Sequence, residues 1–177
     1  MAVISGFNLA EWEHALGKTE QAVVIAQEML ADIQSTPTRF ERYDVRGACN
    51  LSAYLVALER LAEARATARE LLLRHGSDAI HIGQISFASE HLALALRFEG
   101  DHARAAQLAA RAGAALRSLG YEREITEKAT RMRLDALLAQ RLPSDQRESL
   151  MARSAAMRNE EVVALALAAL EEPPDSV

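Results

Sequence analysis

With 177 residues, half of them hydrophobic but only 5% aromatic, the chain can bury a core built mostly from Ala and Leu, side chains that lose little freedom in a helix. A formal net charge of −5 repels phosphate backbones, and a lone cysteine excludes an intrachain disulfide or a multi-cysteine metal centre. No apolar run approaches the ~18 residues of a membrane span and no basic leader precedes one, so the expected setting is cytoplasmic and soluble, without membrane or nucleic acid as partner.

Helices are predicted throughout, at about 3–16, 19–35, 39–58, 61–74, 78–98, 101–118, 122–141, 144–156 and 159–171. The first carries Asn8-Leu9-Ala10 and stops at Gly17, a residue suited to the left-handed conformation after a helix end. Thr19 is the expected N-cap of the second helix and Asp101 that of the sixth. Breaks are expected at Thr36-Pro37-Thr38, His75-Gly76-Ser77, Leu119-Gly120, Leu142-Pro143-Ser144 and Arg158-Asn159.

Three sets of markers recur at intervals of 42 and then 41 positions: Leu9, Leu51 and Leu92; the turn residues Gly17, Glu59 and Gly100; and the alanines Ala22, Ala64 and Ala105, each followed four residues later by another. The leucines are expected to be buried at equivalent places, and the alanine pairs to form flat stripes that let two helices pack closely. Glu59 is the odd member, because a side chain resists positive φ, and its turn is expected to differ in shape. After Tyr121 the register is lost: a further 41 positions lead from Leu92 and Gly100 to Arg133 and Arg141. The expected fold is all-α, a right-handed solenoid of antiparallel hairpins at 3–35, 39–74 and 78–118. Atypical capping helices over 119–171 close it, and 172–177 forms a disordered tail.

The Leu-small, Gly and Ala-x-x-x-Ala skeleton resembles tetratricopeptide repeats of the long variety. The whole chain resembles the C-terminal helical-repeat region of bacterial signal-transduction ATPases. In those proteins a winged-helix or LuxR-type DNA-binding domain and a nucleotide-binding domain come first. Asn8-Leu9-Ala10-Glu11 with Ala15-Leu16-Gly17 is similar to their repeat opening, and Leu119-Gly120-Tyr121-Glu122-Arg123-Glu124 to the linker before their last helices. The run from Ser154 to Leu167 is similar to their closing signature, with Ser154 where the family has Gly and Arg158 where it has Ser. The resemblance implies a non-catalytic sensor module that binds a protein, a peptide or a small regulatory ligand and restrains an ATPase. The alternative is a free-standing homo-oligomeric scaffold.

No catalytic, metal or cofactor site is expected. Gly17-Lys18-Thr19 has the tail of a phosphate loop, but Trp12 stands where the first glycine belongs and a helix precedes it. Glu11 and His14 have the i,i+3 spacing of carboxylate-bridged metal bundles, yet the nearest candidate for a second pair, Glu99 and His102, straddles a turn. His75, His81 and His91 show no converging spacing, and Cys49 has no evident base. Arg60, Arg65, Arg69 and Arg74 alternate with Glu59, Glu63 and Glu70 and read as an ion-paired solvated face.

Two binding surfaces are expected. In tetratricopeptide folds the first helices line a concave groove, here Phe7, Glu11 and His14, then Arg46, Cys49, Ala53 and Val56, then Phe87, Glu90, Leu94 and Arg97. The Lys/Asn clamp for a peptide carboxylate is absent, since Phe7, Cys49 and Glu90 hold the Lys-type positions and Glu11, Ala53 and Leu94 the Asn-type ones. The second surface, Val3, Ile4, Phe7 and Trp12, is expected to form an apolar outer face that pairs two isolated chains as a homodimer.

Overall fold

The computed structural model describes residues 2–35 and 41–171, and within them the protein is all-helical, with no strand. The expected break at 36–38 and the tail at 172–177 lie outside the described residues. The helices are α1 (Ala2–Ala15), α2 (Thr19–Ser35), α3 (Glu41–Ala57), α4 (Leu61–His75), α5 (Ile82–Phe98), α6 (His102–Ser118), α7 (Ile125–Arg141), α8 (Ser144–Ala155) and α9 (Asn159–Glu171). A 3-10 turn, Ala79–His81, leads into α5. No described helix is long and apolar enough to cross a membrane.

From α1 to α6 each helix packs on the next, and the odd-numbered helices also meet, α1 with α3 and α3 with α5. The alanines expected to face between paired helices, Ala22, Ala26, Ala64, Ala68, Ala105 and Ala109, are all buried. Side chains this small let helix axes approach closely, so the stripe converts spacing into packing. The chain then changes direction. α7 packs on α5 and also reaches α3 and α1; α8 packs on α6; α9 packs across α4, α5 and α6. α5 is consequently enclosed, and Ile85 through Leu96 are buried without interruption. A helix buried all round can only be a central one.

The three expected turns are alike. Gly17, Glu59 and Gly100 all have positive φ, at 81°, 58° and 94°. In each, the next residue's N–H reaches back five residues to a helix carbonyl: Lys18 to Glu13 at 2.8 Å, Arg60 to Leu55 at 2.9 Å and Asp101 to Leu96 at 2.9 Å. The expectation that Glu59 would change the turn is therefore corrected. Its carboxylate points out to Arg133 at 3.1 Å, and the shared hydrogen bonds hold it left-handed at a cost of about 1–2 kcal/mol. Gly120 closes α6 in the same way, with Tyr121 N–H bonded to the Leu116 carbonyl at 3.0 Å.

Other expectations need correction. Asp101 does cap α6, accepting a bond from Arg104 N–H at 3.0 Å, but Thr19 lies inside α2 and its hydroxyl bonds His14 Nδ1 at 3.0 Å instead. Leu51 and Leu92 are buried, at 6% and 1% exposure, whereas Leu9 is 50% exposed. Leu51 lies near residues of both α2 and α4, whereas among the described residues α2, α3 and α7 pack on α1 and leave Leu9 half uncovered. Arg65 leaves the solvated face: it pairs with Glu99 at 2.6 Å and donates to the Ala169 carbonyl at 2.9 Å, fastening α9. Arg111 does the same for the α8–α9 turn, bonding Met157 O and Asn159 Oδ1, each at 2.6 Å.

Candidate binding cleft

α7 fills most of the groove that the first helices were expected to line. Cys49, Ala53, Val56, Phe87, Glu90 and Leu94 are all buried and do not form an open surface. Tyr121 stacks edge-on against Phe87, with centroids 6.4 Å apart, and Arg97 Nε donates to the Leu137 carbonyl at 3.2 Å. Phe7 belongs neither to a groove nor to an outer face: it is buried against Ile33, with Met29, Leu30 and Tyr43 around it. The side chains of Val3 and Ile4 lie outside the described residues.

Glu90 is the latch that holds this arrangement. Its carboxylate, 1% exposed, receives Arg123 Nε on one oxygen at 2.9 Å and Arg123 Nη2 on the other at 2.5 Å. Arg131 Nη1 adds a bond at 2.9 Å and also donates to the Ala109 carbonyl, while its Nε bonds Asp135. Two guanidiniums and a fork-shaped contact satisfy a buried carboxylate as water otherwise would. This latch explains why 121–124 runs non-helically and α7 starts at Ile125, three residues later than expected.

Cys49 and His91 meet beneath α7, but they form no nucleophilic pair. His91 Nδ1–H donates to the Cys49 carbonyl at 3.1 Å, and the Cys49 thiol, 3.9 Å from that nitrogen, donates to the Gln84 carbonyl at 3.5 Å. Burial pushes the thiol well up and His91 down to about 4, so both groups are held neutral.

One end of the groove stays open. Between α1 and the segment 122–128 lies a cleft of about 590 Å³. Trp12, 69% exposed, and Ile125, 66% exposed, form its apolar walls with Ala15. Its polar lining is Asn8, Glu11, Glu122, Arg123, Glu124 and Lys128. Arg46 Nη2 bridges two of the carboxylates, 3.3 Å from Glu124 and 3.9 Å from Glu11. Burial, then the neighbouring Glu124 and Glu127 charges, raises the Glu11 pKa; burial also raises that of Glu127. A cation placed beside them would favour their ionised form.

Of the expected groove residues, only Glu11 reaches this cleft, with Arg46 at its rim. His14 is half-buried and stacks on Tyr54, with ring centroids 4.8 Å apart. Sequence reasoning missed Glu122, Glu124, Ile125 and Lys128. The signal that could have found them was the lost register after Gly120, which says that the chain no longer extends the stack. It also separated His75 and His81, which the structure brings together with Asp78: one donor atom from each lies within 4.8 Å of the others. No protein-family model, curated protein or solved structure matches the chain.

Proposed function

We propose that the chain is a non-catalytic binding module, a right-handed solenoid of three tetratricopeptide-like hairpins whose interior is taken up by its own α7. Its ligand is a protein or peptide segment that presents a cationic side chain next to an apolar one. The observation that carries this is the open cleft in which the exposed Trp12 and Ile125 face the Glu11, Glu122 and Glu124 carboxylates. A guanidinium seated there meets both the aromatic face and the acidic wall, an interaction of about 0.5–2 kcal/mol for the ring alone. The similarity of its repeat opening and closing signature to ATPase regulators supports a sensor role, with the ligand biasing an attached ATPase.

Trp12 is the sole tryptophan, so its fluorescence reports on the cleft. Titration with a short Arg- and Leu-containing peptide should shift its emission saturably, and the shift should weaken in salt and in Glu11→Gln/Glu124→Gln. A response indifferent to both salt and the double variant refutes the reading.

A second reading, the homo-oligomeric scaffold, is favoured by the exposure of Leu9 and Trp12 on α1 and of Leu16 just past its end. Their counterparts 42 residues on include Leu51 and Tyr54, which are buried, Tyr54 against His14 and Leu51 near Leu30 and Ala31 of α2. A second copy covering that side would give a dimer of twice 19.4 kDa by light scattering; a monomer at micromolar concentration rejects it.

A further inference from the structure

The turn from α4 to α5 places three metal-binding side chains on one side of the backbone. His75, Asp78 and His81 are three residues apart. Asp78 N–H bonds the His75 carbonyl and His81 N–H bonds the Asp78 carbonyl, both at 3.0 Å. Successive i→i+3 bonds of this kind stack side chains at three-residue spacing. The His75 and His81 rings meet edge-on with centroids 5.3 Å apart, and His75 Nδ1 lies 3.3 Å from Asp78 Oδ2. Behind the ring, His75 Nε2 is buried without a hydrogen-bond partner, 4.0 Å from Asp44 Oδ2 on α3.

We propose that this turn binds a divalent transition-metal ion of the zinc class through His75, Asp78 and His81, with Asp44 orienting His75 from behind. Two imidazoles and one carboxylate form the donor set of borderline-soft ions, whereas magnesium and calcium take oxygen ligands. A tetrahedral centre with bonds of about 2.0–2.1 Å spaces its donors about 3.3 Å apart. The present spread of up to 4.8 Å therefore closes by about 1.5 Å, mainly by rotation of the half-exposed Asp78. Water completes the coordination. Metal binding at His75 Nδ1 leaves Nε2–H to donate to Asp44, the carboxylate–histidine–metal relay that fixes a ligand's tautomer. The ion would fasten the turn where Gly76 abuts Val163 of α9: a Cβ placed on Gly76 would lie 2.8 Å from that side chain.

The test is calorimetric titration of the untagged, chelator-stripped 177-residue protein with zinc chloride in excess magnesium, with cobalt absorption as a second readout. Expected are one equivalent of zinc, the visible bands of a four-coordinate N/O cobalt centre and a thermal midpoint that rises with zinc concentration. His81→Ala and Asp78→Ala should abolish this with unchanged helical circular dichroism in the absence of metal, and Asp44→Asn should weaken it about 10–100-fold. Absence of saturable zinc uptake overturns the proposal. So does uptake that persists in the His75→Ala/His81→Ala variant.

Discussion

Acidification from pH 7 to 5 should destabilise the protein through one buried imidazole. His91 is fully buried on α5, donates Nδ1–H to the Cys49 carbonyl and leaves Nε2 without a partner. A second proton would place a charge where nothing solvates it, so burial lowers its pKa from 6.5 to about 4. Below pH 6.5 the unfolded chain takes up a proton that the folded chain refuses. Stability is therefore complete above that value and falls with pH at about 1.4 kcal/mol per unit until the folded group titrates. The loss is about 2 kcal/mol at pH 5 and about 3 kcal/mol over the whole window. His14, also lowered by burial, acts in the same direction. Glu11 and Glu127, raised by burial, act oppositely: the folded state holds their protons longer, so their contribution is present at low pH and lost as pH rises through their folded values. The His91 part is isolated by comparing urea unfolding of the wild type with His91→Asn, which keeps a donor for the Cys49 carbonyl. The gap between the two should change by about 2 kcal/mol from pH 7 to 5. Parallel stabilities, or a His91 resonance titrating near 6.5, would refute the reasoning.

Glu90→Ala should cost about 3–5 kcal/mol, because it removes the buried partner of Arg123 and Arg131; a loss under about 1 kcal/mol in denaturant unfolding would show that the latch carries little. Leu92→Ala should cost about 2–5 kcal/mol and Leu9→Ala under about 0.5 kcal/mol in a monomer, so a large Leu9 effect that grows with protein concentration would reveal a covered α1. Together with the Trp12 fluorescence titration and the zinc titration, these measurements separate fold, cleft and turn.

The fold was legible wherever its cause is local. Helix ends at Gly17, Gly100 and Gly120 need left-handed backbone, and the recurrence of the markers revealed even the turn at Glu59, which composition argued against. Asp101 announced its cap. Leu9 misled because burial depends on a neighbour, and identical residues at recurring positions in the sequence meet different surroundings. The filled groove was hidden for a related reason. Arg123 and Arg131 reach Glu90 across 33 and 41 residues, and a long-range ion pair leaves no trace in spacing. The His75, Asp78 and His81 constellation was hidden because the break at Gly76 concealed a continuous three-residue rhythm.

The enclosure of α5 has a consequence for how the molecule comes apart. In a linear array each unit meets only its neighbours, stability adds unit by unit, and ends fray independently. Here α7 touches α1, α3 and α5 while α9 touches α4, α5 and α6, so both reach past their sequence neighbours. Loss of either α7 or α9 uncovers α5, and loss of α7 also frees the Glu90 latch. The amides of α5 should therefore be among the last to exchange, well after those of α1.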